Sequence, residues 1–213
     1  DVTFEPVKKN SLGGNVVYIK YNSNPKIVLQ TPSVTAPFGL STYTDEKTGT
    51  VKYSIDISVR GMETDPKIQE FHDKMHDIDE MLIKEGVSHS KEWFCKKMSQ
   101  EVIQEFYRPL VKPSKNPEKY APTMKLKLQT ARDGSVAVDA YDHQKQKVDI
   151  KNALVPGIRI QGLLEANSIW FVGKNMYGIS WRLVQVKIHK SDKISGFSFI
   201  EDPEEKLQED DDI

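Results

Sequence analysis

The sequence predicts a mainly β protein of the α+β class, a small β-barrel carrying a two-helix block. Two changes of hydrophobic period carry that prediction. From Val51 to Arg60 the chain alternates, with Val51, Tyr53, Ile55, Ile57 and Val59 on one side and Lys52, Ser54, Asp56, Ser58 and Arg60 on the other, the signature of a half-buried strand. From Asp65 the period lengthens to about 3.6 residues, and from Thr123 it returns to two and stays so to His189. Many short strands around one helical block point to a barrel, because closure removes the exposed edges such strands otherwise present. With 213 residues and 38% hydrophobic content, the chain can bury one main core.

Each element follows from local chemistry. Val16 to Tyr21 and Lys26 to Thr31 flank Asn22-Ser23-Asn24-Pro25, a turn composition, and read as a hairpin. Thr31 to Tyr43, rich in Pro, Ser, Thr and Gly, reads as a loop. Asp65 caps a helix that begins at Pro66, carries Ile68, Phe71, Met75, Ile78 and Leu82 on one stripe, and stops at Gly86. A second helix runs from Ser90 to Phe106, with Phe94, Met98, Val102 and Phe106 at steps of four, and is stopped at Arg108-Pro109. The insertion thus spans about residues 64–108. Val111 to Pro122, with three prolines and three lysines, is extended connecting chain. Met124, Leu126 and Leu128 then alternate with Thr123, Lys125 and Lys127; Arg132-Asp133-Gly134 is a hairpin turn, and Val136 and Val138 open the returning strand. Gly157 to Leu164, Ser168 to Val172 and Ile179 to His189 are three further strands.

The net charge of −1 hides a split by position. Residues 201–213 hold eight acids and one base, leaving residues 1–200 with 29 bases and 23 acids, so the body carries +6 and the tail −7. Residues 1–200 read as a single domain and 201–213 as a disordered acidic interaction tail, with a solubilising terminus as the plain alternative. No apolar run approaches a membrane span and the first residues lack a signal-peptide core, so the chain reads as soluble. The lone Cys95 forms no internal disulfide, which fits a reducing, intracellular compartment, and it reads as a helix-packing residue.

Catalytic chemistry is poorly represented. His72 and His76 stand four apart among acids, but the HExxH spelling is missing, and a solvated acidic helix face explains them better than a metal. The sequence has no GxSxG, GxxxxGK[ST] or GxGxxG motif, so it indicates neither a cofactor nor an enzyme. Asp133, Asp139 and Asp142 lie near a hairpin, where Asp133 before Gly134 suits a turn.

What remains is cationic and aromatic. Lys125, Lys127, Arg159, Lys174, Arg182 and Lys187 lie in or beside the strands that carry Trp170, Tyr177 and Trp181, while Lys52, Phe38 and Tyr43 extend the set from the first half. Aromatic faces stack unpaired bases and cations track phosphates, without sequence preference. Alternation puts one of each neighbouring pair inside: Phe171, Val184 and Val186 read as core, Trp170 and Trp181 fit a stacking surface and a packing position equally, and Tyr177, in a turn, reads as exposed.

The run YAPTMKLKL, then RDG, then VPGIRIQGLLEANSIWFVGKNMYGISWRLVQVKI, resembles the C-terminal half of the single-stranded-DNA-binding proteins of nucleocytoplasmic large DNA viruses. The matching residues are Pro122, Lys125, Lys127, Arg159, Ser168, Ile169, Trp170, Gly178, Ile179, Trp181, Leu183, Gln185 and Val186, about a third of the chain with their surroundings. The resemblance implies an OB-fold, a five-stranded oligonucleotide-binding barrel here with extra strands, that protects single strands during viral DNA replication, recombination or repair in the host cytoplasm or nucleus. It implies replication proteins as partners of the acidic tail, allows RNA as the bound strand, and allows a homo-oligomer on DNA. Aromatic residues and Arg are also enriched at protein interfaces, so a protein-interaction or virion structural barrel is the competing reading.

Overall fold

The computed structural model describes residues 1–10, 13–131, 133–173 and 175–189. Five strands form the barrel. They are β1, in two pieces (Ile27–Gln30 and Val34–Ala36), β2 (Val51–Ser58), β3 (Thr123–Leu128), β4 (Ile158–Ala166) and β5 (Arg182–Ile188). Around the barrel the order is β1, β2, β3, β5, β4 and back to β1, the Greek-key circuit of an OB-fold. Four of the five ladders are antiparallel; the closing one, β3 to β5, is parallel and holds two residue pairs, Lys127 with Arg182 and Leu128 with Leu183. Ile55, Ile57, Met124, Leu126, Ile160 and Leu164 fill the interior, as the period-two pattern requires, and Leu183 and Val186, three residues apart, join them across a register shift in β5.

The split in β1 has a local cause. Pro32 offers no N–H to a ladder, and Thr31 fills the gap by exchanging two hydrogen bonds with Gly162, its N–H donating at 2.8 Å and its Oγ1 accepting at 2.9 Å. The anticipated loop at Thr31 to Tyr43 is therefore mostly strand, because its second part, Leu40–Thr44, pairs with β2. The anticipated hairpin at Asn22 to Pro25 is a turn whose arms part. Asn15–Tyr21 joins a second sheet with Val2–Phe4, Lys8–Lys9, Ser168–Val172 and Met176–Ile179, while Ile27–Gln30 pairs with β4.

The helical block lies between β2 and β3. The first helix, α1 (Pro66–Ser88), starts as expected, with the Asp65 carboxylate accepting from the Lys67 N–H at 2.9 Å. The second anticipated helix is two, α2 (Ser90–Phe94) and α3 (Gln100–Phe106), because Cys95 adopts a left-handed conformation with φ 59° and ends the first. That break shifts the phase: Ile103 is buried and Val102 exposed, while Cys95 is exposed rather than packed. A short α4 (Ile150–Ala153) precedes β4. After the Asp133 turn, Val136 makes a single bridge to Thr130, and the chain then crosses to run parallel to β5 at Asp139–Tyr141.

The helices roof the second sheet. Trp93, Phe94, Tyr107, Phe171 and Tyr177 form one aromatic cluster, with Tyr177 centred 5.3 Å from Phe94 and 5.2 Å from Tyr107, both edge-on. Asp79 holds the exit from α3, accepting from the Tyr107 hydroxyl at 2.6 Å and the Leu110 N–H at 3.2 Å. Burial pushes its carboxyl above the usual range, against those two donors.

Candidate nucleic-acid interface

Alternation on β2 and β3 sends Lys52, Ser54 and Asp56, and Lys125 and Lys127, to the outside of the barrel. Register sets them side by side: Ser54 opposes Lys127 and Asp56 opposes Lys125. On the other flank of β2, Tyr43 opposes Lys52 and Ser41 opposes Ser54, so cross-strand neighbours build one surface from three strands. Tyr43 is 61% exposed, and Phe38, at the turn between Val34–Ala36 and Leu40–Thr44, is 60% exposed. The lysines and the uncovered Tyr43 ring therefore share one face, and Phe38 is exposed at the turn that leads into the Tyr43 strand.

The cations of this face are uncommitted. Among the described residues, no ion pair involves Lys52, Lys125 or Lys127. Lys127 donates to the Ser180 hydroxyl at 3.0 Å, and desolvation, with the Lys52 charge added, holds its ammonium below the usual lysine range. Burial is the larger cause of that shift and the Lys52 charge the smaller; an anion such as phosphate placed beside the two ammonium groups would offset the second.

The other anticipated residues are placed differently. Arg182 stands beside Lys127 across the closing ladder, but its guanidinium pairs with Glu165, a 7% exposed carboxylate that also takes Lys26 at 2.8 Å. It bounds the face and is already neutralised. Arg159 and Lys187 lie further along the barrel, on the outside of β4 and β5, away from the Lys125–Lys127 pair. Lys174 and the 201–213 tail fall outside the described residues.

Two aromatics are corrected. Tyr177 is 0% exposed, because its turn is tucked under the helical roof, where its hydroxyl donates to the Leu82 carbonyl at 3.1 Å. Trp181 is 1% exposed at the crossing from Met176–Ile179 to β5, its carbonyl accepting from the Lys127 N–H at 3.0 Å. Neither ring is a stacking platform; both are core. Trp170 is half-buried and lies across Gly178, where a Cβ would come within 2.9 Å of its Cζ2. Val186 is buried and Phe171 packs on the core as expected, whereas Val184, at the register shift, is only half-buried. Sequence reasoning missed Glu165, whose signal was an acid inside the apolar run Gly162 to Ala166.

No functionally curated protein matches the chain. Among solved structures it is similar to gp2.5, a single-stranded DNA-binding protein encoded by bacteriophage T7, at 12% identity and a TM-score of 0.53, over 81% of this chain and 91% of that one. A weaker likeness, at 16% identity and a TM-score of 0.47, links it to the single-stranded DNA-binding protein of bacteriophage Enc34 in complex with single-stranded DNA, over 91% and 99% of the two chains. At such identities the shared property is the fold. Residues 55–205, from the middle of β2 through the last barrel strand, match the family of unknown function DUF5871, and the chain belongs to that family.

Proposed function

We propose that the protein binds single-stranded DNA without reading its sequence, on the outer face of β2 and β3. The observation that carries this is the set of Lys52, Lys125 and Lys127 on β2 and β3, strands with which OB barrels hold oligonucleotides, none of them in an ion pair among the described residues, with exposed Tyr43 on the neighbouring strand and exposed Phe38 in the turn before it. The cations hold phosphates, and the rings offer stacking faces that every base can use. The T7 neighbour, named as a single-stranded DNA-binding protein, supports the same ligand and favours DNA over RNA. The protein acts as a binder rather than a catalyst, in the replication, recombination or repair of a viral genome, as the resemblance to the large-DNA-virus family implies. The 201–213 segment, with eight acids and one base, serves in this proposal as a docking strip for other replication proteins.

The test is a titration of fluorescent oligonucleotides at several ionic strengths. Single strands should bind more tightly than duplex of the same length, with the logarithm of the affinity falling linearly against the logarithm of salt, at about 0.7 per phosphate held. Absence of binding at low salt overturns the proposal.

A further inference from the structure

The outer surface of β5 carries a second polar feature that the β2–β3 face does not use. Gln185 and Lys187 stand on the strand as a ridge with a trough on each side. The first trough, about 190 Å³, is lined by Gln30, Gln161, Gly162, Leu163, Gln185 and Lys187. The second, about 360 Å³, is lined by Tyr141, Asp142, Lys145, Gln185 and Lys187. The register explains the ridge: Gln185 lies between Leu163 and Asp139, and Lys187 between Gln161 and Tyr141, so three strands put these side chains in two adjacent rows.

The lining suits a nucleotide strand better than a small metabolite. Small-molecule sites enclose roughly 300–1,000 Å³ behind mostly apolar walls; the first trough is smaller and rimmed by three carboxamides, each carrying two donors and an acceptor, and the second, though within that range, is lined mainly by polar and charged side chains. Among the described residues, the side chains of Gln30, Gln161 and Gln185 make no hydrogen bond, and Lys187 makes no ion pair. Of the nearby acids, Asp139 pairs with Lys147 at 2.7 Å, and Asp142 accepts from the N–H groups of Gln144 and Gln146 at 2.8 and 2.9 Å and lines the second trough together with the cations Lys145 and Lys187. Positive charge continues past the ridge, where burial and the charges of Lys187 and Arg159 lower the His189 pKa.

Resting on the proposed single-strand function, we infer that β5 carries a second segment of the strand. Two successive nucleotides lie in the two troughs, the phosphate between them on Lys187, and the base edges on the carboxamides and Tyr141. The closing ladder, where β5 meets β3 at Lys127 and Arg182, makes this surface contiguous with the β2–β3 face, while Arg182 itself stays paired with Glu165.

The experiment compares the full chain with Lys187→Ala and with Gln161→Ala/Gln185→Ala, in salt series with a fluorescent oligothymidylate; thermal melting confirms that each substitution leaves the fold intact. Lys187→Ala should reduce the salt slope by about 0.7, one phosphate contact. The double glutamine variant should bind more weakly with an unchanged slope, since it removes base contacts only. A slope for Lys187→Ala equal to the wild-type slope overturns the β5 segment while leaving the β2–β3 reading standing. A wild-type chain that binds no oligonucleotide overturns the function itself.

Discussion

The Tyr177 hydroxyl donates to the Leu82 carbonyl across 95 residues of sequence, tying the second sheet to the C-terminal part of α1. The bond exists because Gly86, one turn further along the helix, leaves room for the ring: a Cβ there would overlap the Tyr177 hydroxyl and lie 2.9 Å from Ile103 Cγ2. Gly86→Ala, which in an open helix interior stabilises, should here destabilise by about 1–3 kcal/mol through overpacking. Chemical denaturation measures it, and a gain in stability would mean that the ring is not seated there.

Trp181 and Trp170 differ in how much they contribute to the fold. Trp181→Ala should cost about 3–5 kcal/mol of stability, as large-to-small changes in a sealed core do. Trp181→Phe should be milder, because it also removes an indole N–H that has no acceptor among the described residues. Trp170→Ala, at a half-buried site over Gly178, should cost less than Trp181→Ala. Calorimetric melting ranks the three.

Asp79 gives stability a pH dependence of defined sign. Its folded pKa is raised, chiefly by burial, so the native state holds the proton more tightly than the unfolded chain does. Stability from this group is therefore largest below the ordinary aspartate range and is lost as pH rises through the folded value. Asp79→Asn keeps an acceptor for the Tyr107 hydroxyl and should flatten that part of the profile. Denaturant midpoints measured from below the ordinary aspartate range up to neutral pH test it; a variant that keeps the wild-type slope would assign the titration elsewhere.

Tyr43 and Phe38 should act on affinity alone. Replacing either exposed ring with Ala should weaken single-strand binding by about 1–3 kcal/mol if it stacks a base, with the melting temperature unchanged. Lys125→Ala and Lys127→Ala should each lower the salt slope by about 0.7 instead. Equal binding by all four variants would place the strand on another surface.

The contrast between these residues shows what the chain spells out locally. The faces of β2 and β3 were legible because a period of two residues needs no tertiary information: Ile55, Ile57, Leu126 and Leu128 are inside, and Lys52, Lys125 and Lys127 are outside. The start of α1 was legible for the same reason, since Asp65 and Pro66 act within one turn. Tyr177 was not. Its turn looks like any surface turn, and only the helical roof, inserted far upstream, makes the site interior. Nor could Ile27–Gln30 announce its partner: the favourable turn at Asn22 to Pro25 suggested Asn15–Tyr21, while the available edge belonged to β4. The break at Cys95 was equally hidden, because the apolar residues on either side keep a helical spacing across it.

The closing ladder of two residue pairs has a kinetic meaning. Lys127 and Arg182 can meet only after the long excursion through α4, β4 and the second sheet has been folded back, so loop-closure entropy must be overcome before the seam gains any contact. Folding should therefore divide into a fast phase, in which α1 forms locally, and a slow one on the order of milliseconds to seconds, typical of non-local β topologies, in which the seam closes together with the still longer-range β1–β4 ladder that joins Gln30 to Leu163.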